Sequence, residues 1–323
     1  MTCTDIAAVL SIQLIASSKA INSVIELPNS DIITGSDDQF LTYFQRSSGA
    51  YNKVSAYKLE KIPHCLAFDT KNHHVYAACA GGKVEILAIQ NGQLALLTSF
   101  TWSKRELSSI IFKFESDLIF CAGFDGKLFV YDTIAQKLIN SYQLSDKPIR
   151  TITYDDVGGK LYLGTHGKGI PVYDCKDPRV DIPTLVFVLG DPDTVNLSHI
   201  DPVRAVFMDY RSRYIFSCDH SGKILVWHAG TSGQEKISKA LGELKYDNKK
   251  IRSVVWVPEK RVLFQASETG FITGWNPGVK RSIGTFQAHG NEIMGIFVMN
   301  SGDVCSFGKD GRVCIWSVQY KQE

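Results

Sequence analysis

Apolar runs broken by short polar turns fill this chain, and they recur in step. Seven stretches, spaced 41 to 54 residues apart, each consist of a tight turn of Gly, Asp and Ser followed by a short apolar strand. The clearest run from Phe124 through Asp125 and Gly126 to Tyr131, from His220 through Gly222 to Trp227, and from Lys309 through Asp310 and Gly311 to Trp316. Weaker copies close at Tyr43, Leu87, Tyr173 and Trp275. Upstream of each closing residue an apolar residue opens another strand: Ile21, Pro63, Leu107, Ile149, Val203, Ile251 and Ile293. Opening and closing positions stand 24 residues apart in five copies, 22 in the first and 23 in the last. A further strand lies between them, as at Arg261 to Gln265, and another follows the closing residue, as at Lys137 to Tyr142. Four strands per unit at this period describe a propeller blade. The chain is therefore read as an all-β, seven-bladed β-propeller with four antiparallel strands per blade, a single domain over residues 1–323.

The first and last segments complete that picture. Only seven residues follow Trp316, too few for a turn and a full fourth strand. Near the N-terminus, Leu10, Ile12 and Leu14 alternate with Ser11 and Gln13, the pattern of a half-buried strand. A strand over about residues 6–16 is expected to pair with the last blade and close the ring, removing edges that an open array would leave. The same segment is a poor secretory signal, since it lacks a basic start and carries Asp5 and Gln13.

These residues resemble the WD40 repeat family, and the resemblance covers essentially the whole chain. The Asp-Gly turn before a strand ending in Trp or Tyr is the family's mark. From the resemblance, His289, Ser306, Asp310 and Trp316 form a structural hydrogen-bonded tetrad in the last blade. Blade five keeps His199, Ser217 and Trp227 but carries Ser221 at the Asp position, and blades two, four and six keep almost none of the set. Gln45 to Tyr51 also resembles the early repeats of WD-repeat and FYVE-domain proteins. The cysteine and histidine clusters of a FYVE finger are absent from the sequence, as is the Phe-Arg-Arg-Gly element of other phosphoinositide-binding propellers.

Composition narrows the function classes. The net charge of +2 does not imply nucleic acid, whose binders show a clustered basic excess. Eight scattered cysteines without a C-x-x-C pair are expected to be reduced and structural, in a cytoplasmic protein, with nuclear residence and peripheral endosomal association as alternatives. No stretch reaches the length of apolar residues that spans a bilayer. No metal or cofactor is expected: His73 and His74 point to opposite sides of a strand, and neither the Gly81-Gly82 turn nor the glycines from Gly164 to Gly169 match a phosphate loop. His289, Ser306 and Asp310 have the residue types of a hydrolytic triad, but Ser306 lies mid-strand where no oxyanion donors are apparent, so no enzyme is expected.

The repeat register exposes one constellation. The residue after each strand-opening position should occupy an equivalent place near the top rim of each blade, and these residues are Asn22, His64, Ser108, Arg150, Arg204, Arg252 and Met294. Arg150, Arg204, Arg252, His64 and Met294 are the candidate partner-binding residues. Two readings stand for the arginines: pairing with local acids such as Asp155, Asp209 or Glu259, or an arc that binds a carboxylate-rich or phosphorylated segment. Two long connections flank this sector. One carries Asp191, Asp193 and Asp201; the other carries Lys236, Lys239, Lys245, Lys249 and Lys250. The expected function is a non-catalytic scaffold for protein or peptide partners, within a multiprotein complex or outside one. The alternatives are a phosphoinositide or membrane-trafficking adaptor making peripheral contact through Lys245 to Arg252, and, more remotely, a hydrolase or isomerase in the central channel. Direct nucleic-acid binding is not expected.

Overall fold

The computed structural model describes residues 3–190, 198–230, 240–245 and 250–322. Asp191, Asp193, Lys236, Lys239 and Lys249, and the side chain of Lys245, lie outside the described residues.

Seven four-stranded antiparallel sheets account for the strands, and six follow chain order from first strand to fourth. Blade one spans 21–58, blade two 63–101, blade three 107–143, blade four 149–189, blade five 203–245 and blade six 251–287. In the seventh sheet the strands Ile293–Val298, Val304–Gly308 and Arg312–Gln322 are joined by Cys3–Ile15, which pairs with the last of them. The expected N-terminal strand exists and completes the last blade, beginning three residues earlier than its alternation predicts.

The middle strands of each sheet read as unbroken apolar runs because both of their faces are covered. In blade three, Leu118–Gly123 is buried throughout and Lys127–Asp132 is buried except at its ends, whereas the fourth strand, Lys137–Gln143, is mostly open to solvent. Between second and third strands the tight turn needs glycine. Gly126 adopts φ 75° and Gly311 φ 72°, and a β-carbon at either would lie 2.0 Å from a backbone oxygen, of Ser145 and Ser17 respectively. Those oxygens belong to chain passing directly over the turn.

By density of contacts the chain divides into two compact units, one of residues 1–11, 150–306 and 314–323, the other of residues 12–149 and 307–313. In the first, Phe264, Ile272, Val304, Cys314 and Trp316 pack with Cys3 and Ile6 of the N-terminal strand. Ile6 fills the space above two glycines of blade six, its side-chain carbons standing 2.5 Å from where a β-carbon of Gly274 or Gly284 would be. Asn276 Nδ2 donates to the Cys3 carbonyl at 3.0 Å. The N-terminal strand is thus held by blade six as well as by its own sheet. In the same unit Arg213 closes a buried bidentate pair on Asp155, with Nη2 to Oδ2 at 2.8 Å, while its Nε donates to the Gly230 carbonyl at 3.0 Å. In the second unit, Tyr76, Phe129 and Tyr131 pack with Ile119 and Cys121.

All eight cysteines are thiols outside any disulfide, and all but Cys65 are buried. No helix among the described residues is long and apolar enough to cross a membrane.

Candidate interaction site

The residues singled out by register sit at a structural irregularity. In blades one, two, three, five and six the pairing of the first two strands slips by one residue directly after the opening position, so that Asn22, His64, Ser108, Arg204 and Arg252 each stand in a β-bulge. A bulge places an extra residue outside the ladder and re-aims its side chain. The repeated position is therefore one where a side chain is released from strand alternation, and each blade uses it differently. Asn22 bridges Asp37 at 2.7 Å and the Pro63 carbonyl at 3.0 Å, and Ser108 donates to the Ile149 carbonyl at 2.6 Å. In these two blades the position ties the chain to itself.

Three successive blades of the first unit place arginine there, each half-buried. Arg150 Nε donates to His166 Nε2 at 2.7 Å, and Arg204 holds His220 Nδ1 through Nε at 3.1 Å and Nη2 at 2.8 Å. Arg252 pairs with Glu292 and lies 3.7 Å from Glu268. The expected local acids serve other residues: Asp155 binds Arg213, Asp209 accepts from Ser212 at 2.9 Å, and Glu259 pairs with Arg211 at 2.8 Å. The pairing proposed from sequence is corrected accordingly, because those acids sit at the far end of the first strand or beyond it, away from the bulge. His166, His220 and Glu268 each lie 16 residues after their arginine, while the hydrogen-bonded partner of Arg252, Glu292, lies 40 residues on. That constant offset is a signal the sequence carries, legible once the register of the turn is read together with that of the strand opening.

The arginines feel one another. Burial, and then the charges of Arg204 and Arg252, bring Arg150 down to about 10. Arg204 is lowered by burial and by Arg252, with Glu268 and Glu292 opposing. Both histidines are held below the usual imidazole range, first by burial: His166 also by Arg150 and Arg204, His220 also by Arg204 and Lys250 against Glu268 and Asp201. Arg150, Arg204 and Arg252 thus stand at one register on the first strands of three successive blades. Met294 shares their register and is half-buried in its strand, while His64 occupies its bulge in the other unit.

The His, Ser and Trp members of the tetrads in blades five and seven are buried and hydrogen-bonded to one another, while Asp310 is half-buried. Ser306 Oγ bonds His289 Nε2 at 2.9 Å and accepts from Trp316 Nε1 at 3.0 Å, and Asp310 accepts the Arg312 amide at 3.2 Å. Ser306 has no exposed surface, and its oxygen serves two neighbours, so this constellation offers no accessible nucleophile. Blade five departs from the sequence reading. Ser217 bonds His199 Nε2 at 2.8 Å and Trp227 Nε1 at 3.0 Å, and Asp219 completes the set at 3.1 Å from His199 Nδ1. The carboxylate comes from two residues before the position assigned to it, and Ser221 donates to it at 2.7 Å. Burial works against the Asp219 charge, but hydrogen bonds from His199, Ser221 and the Lys223 amide prevail and bring it down to about 2. In blade six Gln265 replaces the serine and accepts from Trp275 Nε1 at 2.9 Å.

A Ser217→Ala exchange is expected to strand His199 and Trp227 and to lower stability by about 1–3 kcal/mol, read by chemical denaturation. Because Asp219 is depressed on folding, its contribution is fully present above the ordinary carboxylate value and fades as pH falls toward about 2. An Asp219→Asn variant should therefore show a shallower acid-unfolding curve than the wild type.

Seven four-stranded sheets, the last completed by the N-terminal strand, define a seven-bladed β-propeller. Residues 280–317 match the family model described as WD domain, G-beta repeat. The crystal structure of the WD40 beta propeller domain of Doa1 superposes with a TM-score of 0.78 at 13% identity, covering 96% of this chain and 97% of that one. That likeness concerns fold. Two curated relatives, WD repeat and FYVE domain-containing protein 2 of Caenorhabditis briggsae and of Caenorhabditis elegans, are each 22% identical over 265 residues, 81% of this chain. The chain spans 59% and 60% of the length of these relatives.

Proposed function

We propose that this chain acts as one interaction scaffold that binds a protein partner through the bulge corner of blades four to six, where Arg150, Arg204 and Arg252 gather. The observation that supports this reading is the repeated bulge itself. It frees a side chain from the ladder in five blades, and in blades five and six that side chain is a half-buried arginine, Arg204 and Arg252, with the half-buried Arg150 of blade four at the same register. Like charges held close at partly buried positions cost stability, and an acidic or phosphorylated segment of a partner relieves that cost with charge-assisted hydrogen bonds. The fold supplies the rigid support, and the binding of protein partners is general for propellers of this kind.

The test is affinity purification from the native cell with wild type and with Arg150→Glu, Arg204→Glu and Arg252→Glu variants, followed by binding of the recovered partner to purified protein. Reversal at Arg150 or Arg204 should weaken the partner at least about tenfold, and lysine at the same positions should restore only part of the affinity; Arg252→Glu, which sets a third carboxylate beside Glu292 and Glu268, should in addition lower the melting temperature. Arg211→Ala, at the other end of the blade-five first strand, should bind as wild type. A partner that binds all three charge-reversal variants normally would remove this corner from consideration.

A further inference from the structure

A cleft of about 770 Å³ opens between blades five and six, within the roughly 300–1,000 Å³ that binding clefts occupy. Arg252 stands at the start of the first strand of blade six, Ile251–Val257, and Arg261, which lines the cleft, follows the end of that strand. The cleft is thus separate from the arginine corner. Its floor is aromatic: the buried rings of Trp256 and Phe216 pack with centroids 5.1 Å apart, and Tyr214 meets Trp256 edge-on at 6.3 Å. At the lip stand two large apolar side chains, Leu241 beside the fourth strand of blade five and Val279 in a turn of blade six, 60% and 63% exposed. Single exposed apolar residues are ordinary on a protein surface, but these two flank an aromatic hollow.

Charge at the rim is one-sided. Arg261 and Lys280 both line the cleft, both are exposed, and neither has an ion-pair partner among the described residues. Lys280 reaches from blade six toward blade five: its Cε lies 3.4 Å from where a β-carbon of Gly242 would stand, so its apolar stem covers that glycine and its ammonium stays at the edge. The neighbouring acids serve other groups. Glu259 pairs with Arg211 at 2.8 Å, and Asp209 accepts from the Ser212 amide at 2.9 Å.

We propose that this cleft docks a short segment of a partner protein, one that seats a bulky apolar side chain over Trp256 and sets a carboxylate beside Arg261 and Lys280. The aromatic hollow rewards apolar area removed from water, while the two cations select the sign of what accompanies it. An acid by itself gains only exposed ion pairs, which are worth little, and an apolar side chain by itself leaves both cations without a partner. The segment must therefore carry both. Shape favours a chain over a bilayer: the rings of Trp256 and Phe216 are buried below the lip, where a flat lipid surface does not reach, and Glu259 near the rim opposes anionic headgroups.

The test selects random short peptides displayed on phage against the full chain, with counter-selection on a Gly242→Leu variant. Gly242 opens a strand, and a leucine there fills the cleft beside Lys280. The surviving peptides should join a large apolar residue to one or more Asp or Glu. One of them, synthesised, should shift the fluorine resonance of Trp256 in fluorotryptophan-labelled protein. It should bind about fivefold or more weakly to Arg261→Glu and to Lys280→Glu, keep most of its affinity for Lys280→Arg, and lose that discrimination at high salt. Both reversed positions are exposed, and unchanged melts of these variants should accompany the weaker binding. Arg204→Gln should bind the peptide as wild type does. Peptides that lack an acid, that bind Gly242→Leu as well as wild type, or that need Arg204 would overturn the site, the last leaving the corner as the binding surface. Capture by vesicles of phosphatidylcholine and phosphatidylserine, lost in Arg261→Glu and with no peptide enriched, would overturn the choice of a polypeptide.

Discussion

Removal of residues 1–16 should leave a protein that melts far below the full chain and self-associates at micromolar concentration. Three features of the N-terminal strand make the effect large. Cys3, Ile6 and Leu14 are buried, and at about 1.5–3 kcal/mol for each large apolar side chain their loss approaches the whole net stability of a typical domain, roughly 5–15 kcal/mol. Ile6 in addition seats closely on Gly274 and Gly284, so its removal opens a cavity in blade six. The strand Arg312–Gln322 would then present an unpaired edge, a template for pairing with another chain. Size-exclusion profiles and thermal melts check both outcomes. A milder variant separates the packing from the edge: Ile6→Ala keeps the strand and should cost about 2–5 kcal/mol while the protein remains monodisperse. A truncated protein as stable and as uniform as the full chain would mean that the seventh blade stands without its first-sequence strand.

Replacement of Arg213 by alanine should destabilise the protein by about 3–5 kcal/mol, the usual cost of leaving one partner of a buried ion pair uncompensated. The carboxylate of Asp155 has no exposed surface, and Arg213 meets both of its oxygens while also binding the Gly230 carbonyl. Blade four and blade five are joined there by a charge pair in addition to the apolar packing of Tyr162 and Val172 with Val206 and Met208. Removing both charges together, in an Asp155→Asn and Arg213→Met double variant, should recover a large part of the loss, because the buried charge left alone by the single change is gone. Denaturation midpoints of the two single variants and the double variant decide it. Additive losses would show that the pair is not coupled, contrary to its bidentate geometry.

The same pair marks the boundary of what a linear reading reaches. Asp155 was visible in the sequence as an acid near Arg150, and proximity along the chain made it a natural partner. In the fold the first strand of blade four separates them, with Arg150 at one end and Asp155 at the other, and a strand holds its ends apart. Asp219 shows the opposite failure. Strict alignment to the last blade selected Ser221, yet the turn of blade five brings the carboxylate two residues earlier to His199 Nδ1, because a tight turn lets either position face the histidine. Local spacing alone does not distinguish such choices.

What the sequence determined by itself is the repeat: seven units, four strands in each, a glycine at the turn where positive φ and a close backbone leave no room for a side chain, and an N-terminal strand owed to the last sheet. These follow from period and burial, which are properties of the chain read in order. It also placed Arg150, Arg204 and Arg252 at one register, since a repeat preserves register. Tertiary structure decided what that register is and what it does there. The β-bulges that turn Arg204 and Arg252 out of the ladder, the imidazoles that accept from Arg150 and Arg204, the glutamates beside Arg252, and the seat of Ile6 on blade six all depend on atoms from separate strands meeting at hydrogen-bond or van der Waals distance. Such meetings are set by how the backbones approach one another, and that approach is written in no single segment.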